Sequence, residues 1–566
     1  MAFIEIKNLS FLYPGAEKAA LNGINLTVEE GEFVLIAGAS GCGKSTLLRR
    51  LKPVISAYGS VEGGVFLDGE PIEALSFRRQ SAEIGFVMQD PEMQIATDKV
   101  WHELAFGLES LGVDQRTMRV RVAEMASFFG IQELFNMPVN KLSGGQKQLV
   151  CLASVMVMQP KLILLDEPTS QLDPIAAADF FDTLKRINSE LGTTIIITEH
   201  RVESLFPIVD KFVFMDGGSV RYCGDPRACA PLLGKDERLK KVLPTAMTVF
   251  YATGGSDGGQ INGVSPLTVR EGREYVKKLV AGRSPAAPSK KKAASKPRRE
   301  AAKQRGDRPV VSMRDCWYRY ERAGEDILKG VSLDIHAGEL VCIVGGNGTG
   351  KTTCIMTASG MYKPYRGKVV LDGKPISKYG DGELFGKRVG VLMQNPILSF
   401  VKDSVREELI YTAKMHGVDK SRVNEVAAEM EIETILDSNP YDISGGELQR
   451  AAIAKLLIFA PPVIFLDEAT KGMDVFFKSK FGALLRGLAA RGTAIVLVSH
   501  DIEFCAEYAD RLMMFFDGGV IADGLPEATL LGNNFYTTVA ARISNGIVNG
   551  AITASALIDS LRGERT

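Results

Sequence analysis

The chain contains an internal duplication, and this feature constrains its fold more than any other. The segment GASGCGKST at Gly38–Thr46 recurs as GGNGTGKTT at Gly345–Thr353. Three further pairs follow in the same order: LSGGQ at Leu142–Gln146 and ISGGE at Ile443–Glu447, LILLDEPTS at Leu162–Ser170 and VIFLDEATK at Val463–Lys471, and TTIIITEH and TAIVLVSH, which end at His200 and His500. The offset between copies changes only from 307 to 300 residues along the chain, which indicates two tandem copies of one domain.

Composition excludes several classes of protein. With 45% hydrophobic and 24% charged residues, the 566-residue chain is typical of folded, multidomain proteins rather than disordered ones. A net charge of -1 excludes a polycation that coats nucleic acid. Apolar runs such as Leu456–Leu466 reach about half of the ~20 residues that span a bilayer, and the first residues lack the pattern of a signal peptide. Eight scattered cysteines without a C-x-x-C pair argue against disulfides and structural zinc, so we expect a soluble cytosolic protein.

The repeat also predicts the domain boundaries. We expect a first cassette at 1–234, a helical extension at 235–282, a linker at 283–308, a second cassette at 309–545 and a tail at 546–566. The linker holds ten basic and two acidic residues and no large apolar side chain, which favours a flexible, solvated tether. Contact of this linker with anionic lipid headgroups is the functional alternative.

Each copy carries G-x-x-x-x-G-K-[S/T] directly after an apolar run, the pattern of a strand, a phosphate-binding loop and a helix. Lys44 and Lys351 are expected to reach the β- and γ-phosphates of a nucleotide, and Ser45 and Thr352 to ligate Mg²⁺. The candidate phosphate-binding residues are Gly38, Ser40, Gly41, Gly43, Lys44, Ser45 and Thr46 in the first copy, and Gly345, Asn347, Gly348, Gly350, Lys351, Thr352 and Thr353 in the second.

A second apolar strand in each copy ends in an Asp-Glu pair. Asp166 and Asp467 are placed to hold Mg²⁺ beside the phosphate loop, while Glu167 and Glu468 can orient and deprotonate the attacking water. Helix N-cap carboxylates are the alternative interpretation. His200 and His500 end another pair of matched strands, and we expect them to contact the γ-phosphate rather than to be structural histidines.

The LSGGQ and ISGGE segments each open a helix, which predicts a second anion-binding helix end in each copy. One nucleotide needs only one phosphate loop, so this second end is best explained if it completes a site in the other copy. These motifs, present twice, resemble those of ABC (ATP-binding cassette) ATPases, in which two cassettes sandwich two ATP molecules. The resemblance implies an α/β fold of two tandem P-loop ABC ATPase domains. Each would have a mostly parallel core sheet, an antiparallel β subdomain and a helical subdomain.

The resemblance also implies further site residues. Tyr13 and Tyr320 would stack on adenine, and Gln89 and Gln394 would be the Q-loop glutamines that touch Mg²⁺ or water. Ser143 and Gly145 would complete the site of the second copy, while Ser444 and Gly446 would complete the site of the first. Asp173 and Asp474 match the D-loop aspartates. Both sites keep the catalytic glutamate and histidine, so we expect both to hydrolyse ATP.

The second copy departs from the family pattern. Its D-loop reads ATKGMD at Ala469–Asp474, with Lys471 where the first copy has Ser170, and its signature ends in Glu447 rather than Gln. The glutamate removes no anion contact, but the D-loop change leaves open whether the two sites are equal. Cys42, inside the first phosphate loop, is interpreted as a small filler; if it is exposed, a thiol reagent would block ATP binding at that site.

One branch of the family resembles this chain further. The segment Gln89–Glu109, with ELAFGLE at its end, and TEHRVE at Thr198–Glu203 resemble ATPase subunits of energy-coupling factor (ECF) importers, and Pro244–Val276 resembles their C-terminal extension. This implies a peripheral protein on the cytoplasmic face of the cell membrane. Its expected partners are a transmembrane coupling subunit and a substrate-binding membrane subunit, with no specific nucleic acid. The alternative by pattern alone is that ELAFGLE is an amphipathic helix packed on its own domain.

Other twin-cassette proteins are alternatives. A soluble factor acting on ribosomes is the main one, supported by the basic linker, but such factors usually carry an insertion before the first signature. Here 99 residues separate Lys44 from Ser143 and 93 separate Lys351 from Ser444, which leaves no room for an arm. DNA-repair ATPases with zinc modules are excluded by the missing cysteine pairs. Monosaccharide-import ATPases are also fused cassettes, but they commonly have one degraded site, and here both sites keep their motifs.

Overall fold

The computed structural model describes residues 2–200, 202–230, 239–255, 265–281, 308–534 and 536–563. The chain divides into two compact units. The first consists of Met1–Thr268 and Asp474–Phe476, and the second of Val269–Met473 and Phe477–Thr566. The predicted linker at 283–308 lies outside the described residues, apart from Arg308.

The first unit contains two sheets. Its strands are β1 (Ile4–Leu12), β2 (Leu21–Val28), β3 (Phe33–Gly38), β4 (Ser60–Leu67), β5 (Glu70–Pro71), β6 (Ile84–Val87), β7 (Leu162–Asp166), β8 (Thr194–Thr198), β9 (Lys211–Asp216) and β10 (Ser219–Gly224). An antiparallel sheet has the order β2-β1-β4-β5. A six-stranded sheet has the order β10-β9-β3-β8-β7-β6, in which every neighbouring pair is parallel except β10 and β9.

Helices connect and cover these strands. They are α1 (Lys44–Arg50), α2 (Phe77–Glu83), α3 (Val100–Ser110), α4 (Gln115–Phe128), α5 (Gly144–Met156), α6 (Pro174–Leu191), α7 (Val202–Leu205) and α8 (Thr245–Ala252). Helices α3, α4 and α5 pack on one another and form the helical subdomain between β6 and β7.

The second unit repeats this architecture. Its strands are β11 (Val311–Tyr318), β12 (Leu328–Ile335), β13 (Leu340–Val344), β14 (Arg366–Leu371), β15 (Lys374–Pro375), β16 (Val389–Leu392), β17 (Val463–Asp467), β18 (Ala494–Val498), β19 (Arg511–Phe516) and β20 (Gly519–Gly524). The sheet orders, β12-β11-β14-β15 and β20-β19-β13-β18-β17-β16, are those of the first unit. The predicted fold of two tandem domains is therefore confirmed.

The remaining helices begin before β11 and continue to the end of the described chain. They are α9 (Val269–Ala281), α10 (Lys351–Ala358), α11 (Asp381–Glu383) followed by a π-helical turn (Leu384–Arg388), α12 (Val405–His416), α13 (Ser421–Glu429), α14 (Gly445–Phe459), α15 (Val475–Ala490), α16 (Ile502–Tyr508), α17 (Pro526–Leu530), α18 (Val539–Ser544) and α19 (Ala554–Arg562). Among the described residues, no helix combines the length and the apolar character that crossing a membrane requires.

The central strands are apolar on both faces because each large sheet separates two hydrophobic cores. In β3, Phe33 and Leu35 point into one core, whereas Val34 and Ile36 point into the other. Buried parallel strands covered on both faces read as continuous apolar runs, which is why the segments before each phosphate loop resemble one another. The carboxyl ends of the parallel neighbours β3, β8 and β7 meet at one edge of the sheet, which is where the motifs predict the candidate site.

Both copies carry a two-helix extension after β10 or β20. In the first copy, the Glu203 carboxylate accepts a hydrogen bond from the amide of Thr245 at the start of α8 (2.9 Å). In the second, Glu503 accepts one from the amide of Val539 at the start of α18 (2.7 Å). Helix α9 belongs to the second unit and packs against α18. From the sequence, this extension was predicted only after the first copy.

Candidate active site

The loop between β3 and α1 follows a path that only glycine permits at two places. A Cβ on Gly38 would lie 2.2 Å from the carbonyl oxygen of Met215. Gly43, immediately before α1, has φ of 99°, and a Cβ there would lie 2.4 Å from the carbonyl oxygen of Ala20. The second copy repeats both close approaches, at Gly345 and Gly350. The backbone therefore curls tightly at the start of a helix, which is the geometry of an anion-binding loop.

The lysine of each phosphate loop is buried beneath the loop backbone. Lys44 Nζ donates hydrogen bonds to the carbonyl oxygens of Gly38 and Ala39, both at 3.0 Å. Lys351 Nζ donates to the equivalent carbonyls at 3.0 and 2.7 Å. A buried ammonium that donates to the main-chain carbonyls of the loop is suited to an anionic partner, which is the predicted role of these residues.

In the first copy, hydroxyl groups satisfy the carboxylate at the end of β7. Ser45 Oγ and Thr198 Oγ1 donate to Asp166 Oδ1 at 2.9 and 2.8 Å. Burial raises the pKa of Asp166. A carboxylate and a hydroxyl side by side are hard oxygen donors of the kind that Mg²⁺ prefers, so this pair fits the predicted cation site.

The second copy lacks one of these donors. Val498 occupies the place of Thr198 opposite the aspartate. Both carboxylate oxygens of Asp467 are buried without a hydrogen-bond partner, and burial raises its pKa to about 6. Because a buried, unsatisfied carboxylate is costly, Asp467 and the adjacent Thr352 hydroxyl fit a divalent cation at this position as well.

The adjacent glutamates have an unusual backbone conformation. Glu167 has φ of 45° and Glu468 φ of 53°, both in the left-handed region. Their amides donate to the carbonyl oxygens of Thr198 (3.0 Å) and Val498 (2.9 Å), which fixes the turn at the strand end. Such strain in a non-glycine residue is typical of functional sites, and it occurs at the same position of both copies.

In the first copy, three elements converge on the Glu167 carboxylate. His200 Nε2 lies 2.8 Å from Oε1, Gln89 Nε2 donates to Oε2 at 3.1 Å, and Lys44 Nζ lies 4.0 Å from Oε1. Burial raises the pKa of Glu167, but the charges of His200 and Lys44 outweigh burial and hold it below its usual value. The structure thus brings together the predicted base, histidine and Q-loop glutamine.

The equivalent group in the second copy is less complete. His500 Nε2 lies 3.1 Å from Glu468 Oε1, but Gln394 is exposed and is not hydrogen-bonded to this carboxylate. Burial and the neighbouring Asp467 raise the pKa of Glu468 to about 7. The two sites therefore share their residues but differ in the environment of the predicted catalytic glutamate.

The predicted adenine-stacking tyrosines are tied to the phosphate loops. Tyr13 Oη lies 3.0 Å from Thr46 Oγ1, and Tyr320 Oη lies 3.0 Å from Thr353 Oγ1. The ring of Tyr320 also makes an edge contact with Tyr362. The matching bonds place both rings beside their loops, and stacking on a base stays a prediction.

The signature serines cap α5 and α14. Ser143 and Gln146 exchange hydrogen bonds in a capping box, and Ser444 and Glu447 do the same. In the second copy the Ser444 hydroxyl also donates to the Glu447 carboxylate at 2.7 Å. The pairing of each signature with the phosphate loop of the other copy stays a prediction.

The D-loop of the second copy approaches the signature helix closely. A Cβ on Gly446 would lie 2.6 Å from the carbonyl oxygen of Gly472, so this position requires glycine. Gly472 itself has φ of 69°, the left-handed region that favours glycine. The next aspartate, Asp474, belongs to the first unit, where its Oδ2 accepts a hydrogen bond from the amide of Ser40 at 2.6 Å.

Thr198 and Glu199 contribute to the first site, although sequence reasoning did not single them out. Thr198 bonds to the cation-site aspartate, and Glu199 is buried between the histidine and the turn after the catalytic glutamate. The sequence does show that these positions differ between the copies, since the first strand ends in TEH and the matched strand ends in VSH.

Comparison with known proteins shows the family of the chain. A family model described as "ABC transporter" matches residues 21–170 and 328–471. A "Putative ABC transporter ATP-binding protein" of Bacillus anthracis is 39% identical over 540 residues, 95% of this chain and 94% of that protein. One of the same name from Methanosarcina acetivorans is 34% identical over 533 residues, 92% of this chain and 85% of that protein.

Among solved structures, cbiO1 from Clostridium perfringens, described as part of the ABC transporter complex cbiONQ, is 32% identical. The match covers 43% of this chain and 94% of cbiO1, with a TM-score of 0.38. The family match spans both copies, and the curated relatives extend along nearly the whole chain. The chain therefore belongs to the ABC transporter family, as an ATP-binding ATPase with two cassettes in one polypeptide.

Proposed function

We propose that this protein is the energy-coupling ATPase of an ECF-type importer for a vitamin, cobalt or a related micronutrient. It would lie on the cytoplasmic face of the membrane and drive separate transmembrane subunits. The segments Gln89–Glu109 and Pro244–Val276, which resemble ECF ATPases, support this assignment.

The observation that carries the proposal is a pair of matched apolar surfaces. Met93 and Leu398, four residues after the Q-loop glutamine of each copy, are 77% and 68% exposed. Phe106 and Tyr411, on the helices that follow, are 45% and 39% exposed. Large apolar side chains exposed at equivalent positions of two copies are typical of a protein-binding surface. Two such surfaces fit a partner that contacts both cassettes.

In the proposed reaction, Glu167 and Glu468 accept a proton from the water that attacks the γ-phosphate, and His200 and His500 orient them. Lys44 and Lys351 neutralise the β- and γ-phosphates. Mg²⁺ would be held by Ser45, Asp166 and Gln89 in one site and by Thr352, Asp467 and Gln394 in the other. When bound, it offsets phosphate charge and stabilises the leaving group.

The Q-loop then connects chemistry to transport. Gln89 is bonded to the catalytic glutamate in the first copy, and its segment leads directly into the exposed apolar surface. ATP binding would close the cassettes on two nucleotides, and hydrolysis with phosphate release would reopen them. The movement would pass through the Q-loop segments to the membrane subunits.

An affinity pull-down from detergent-solubilised membranes tests the proposal. We expect the tagged protein to recover small, very hydrophobic membrane proteins, identified by mass spectrometry. The double variant Phe106→Asp/Tyr411→Asp should lose them. Phe77→Asp, which changes a more exposed ring on α2, should retain them. Recovery of ribosomal proteins with nothing from the membrane would instead favour the soluble factor acting on ribosomes.

A further inference from the structure

Glu199 is a buried carboxylate that none of the recognised motifs uses. It follows β8 directly, precedes His200 and is 2% exposed. Its Oε1 accepts hydrogen bonds from the amide of Thr169 (2.9 Å) and from the Thr169 hydroxyl (2.6 Å). Its Oε2 accepts one from the amide of His200 (3.0 Å). One side chain therefore joins the turn after the catalytic glutamate to the backbone of the strand-end histidine.

The second copy builds the same link from different groups. Ser499 replaces the glutamate, and its Oγ lies 2.8 Å from the hydroxyl of Thr470, the equivalent of Thr169. The serine is too short to reach the histidine amide, which instead donates to the catalytic Glu468 at 3.4 Å. The turn is tied in both copies, but the main chain of the histidine changes its partner.

This difference affects the orientation of the catalytic carboxylate. In the first copy the amide of His200 is engaged by Glu199, and both oxygens of Glu167 face side chains, His200 Nε2 at 2.8 Å and Gln89 Nε2 at 3.1 Å. In the second copy Glu468 Oε2 is turned towards the histidine backbone, and the Q-loop glutamine is exposed.

Because burying a carboxylate is costly, the buried Glu199 is expected to have a specific role. A buried charge is tolerated when several donors satisfy it, and charge-assisted hydrogen bonds hold their partners more firmly than bonds between hydroxyls. Glu199 meets three donors on two segments, so it fixes both segments relative to each other. Ser499 ties its turn to the amide of Asp501 (3.0 Å) and leaves the amide of His500 to Glu468.

We propose that Glu199 is a positioning residue of the first ATP site, which holds the Thr169 turn and the His200 backbone so that Glu167 faces the Q-loop glutamine. The second copy lacks this device, and the first site is therefore the faster of the two. This inference rests on the proposed catalytic role of Glu167.

Steady-state ATP hydrolysis by the full chain tests the proposal. We expect Glu199→Ala to lower kcat by roughly threefold or more while KM for ATP stays within about twofold, because a misplaced base slows chemistry more than binding. Thr169→Val, a milder change at the same link, should act in the same direction. Thr194→Val removes an equally buried hydroxyl at the other end of β8, bonded to the Gly31 amide, and should leave kcat unchanged.

Glu199→Ser separates positioning from stability. It recreates the threonine–serine link of the second copy, so its Tm should recover relative to Glu199→Ala while kcat stays low. If kcat recovers together with Tm, or if Glu199→Ala leaves kcat unchanged, the proposal is wrong.

Measuring Glu199→Ala in the Glu167→Gln background separates a failure of the positioning role from a failure of the proposed base. There, adding Glu199→Ala should change the residual rate by less than about twofold, because the residue acts through Glu167. A further fall equal to that in the wild-type chain would overturn the positioning role. If Glu167→Gln alone leaves hydrolysis unchanged, the proposed base is wrong and this failure is seen independently of Glu199.

Discussion

Replacing Asp467 with Asn is expected to stabilise the protein when no divalent cation is present. The carboxylate is fully buried, and burial raises its pKa from an ordinary value near 3.8 to about 6, against the opposing effects of the Thr352 hydroxyl and the Lys351 charge. Because one pH unit of difference in pKa corresponds to about 1.4 kcal/mol, the ionised carboxylate costs about 3 kcal/mol of folding free energy above pH 6. The buried amide of Asn retains a polar cost of about 1 to 2 kcal/mol, so the net gain is about 1 to 2 kcal/mol.

The gain in stability of Asp467→Asn depends on pH. An acid whose folded pKa is raised binds more protons in the folded than in the unfolded state, so its unfavourable contribution develops between about pH 4 and pH 6 and is complete above pH 6. Calorimetry in EDTA should show Tm of Asp467→Asn higher by about 2 to 8 °C at pH 8, and little change near pH 4.

Asp510→Asn is the matched control. This buried aspartate of the same unit is paired with Arg486 (2.6 Å) and accepts from the amide of Leu340 (3.1 Å). Removing its charge should lower Tm at pH 8. Lower stability of Asp467→Asn at pH 8, or a gain of equal size near pH 4, would contradict the interpretation of Asp467 as an unsatisfied cation ligand.

Two further predictions concern packing and reactivity. Gly446→Ala should lower the free energy of unfolding by about 1 to 3 kcal/mol in denaturant titrations, because its Cβ would lie 2.6 Å from a main-chain oxygen. Gly145→Ala, with its nearest neighbour at 3.5 Å, should be nearly neutral, and equal losses would contradict this. N-Ethylmaleimide should label Cys223 before Cys42, since Cys223 is exposed and Cys42 is buried, whereas burial raises the pKa of both thiols. Rapid labelling of Cys42 with loss of ATP binding would show that the loop opens.

The fold was predictable because its determinants are local and occur twice. The glycines at Gly38 and Gly43, the apolar run of β3 and the strand-end carboxylates each have a signature that does not depend on distant contacts. Because each motif occurs twice at nearly constant spacing, its assignment in one copy supports its assignment in the other.

The differences between the two sites were harder to predict because they depend on pairs of distant residues. Thr198 matters through its bond to Asp166, and its replacement by Val498 leaves Asp467 unsatisfied. Likewise, the glycine at position 446 is required by its approach to the carbonyl oxygen of Gly472, which lies on another element. A single sequence shows that such residues differ, but only the three-dimensional contacts show what the difference changes.

The second C-terminal extension was missed for a related reason. Helices α18 and α19 share little sequence with α8 and α9, and only the bonds of Glu203 and Glu503 to the helix starts show their equivalence. The glutamates themselves are matched in sequence, but their partners could not be deduced from spacing.

The central claim is that both copies hydrolyse ATP through the glutamate at the strand end. The most direct test is the ATPase rate of Glu167→Gln, Glu468→Gln and the double variant, with ATP binding measured in parallel. We expect each single variant to be slower and the double variant to lose roughly 10²-fold or more in turnover while still binding ATP. A double variant that hydrolyses ATP at the wild-type rate would contradict the account.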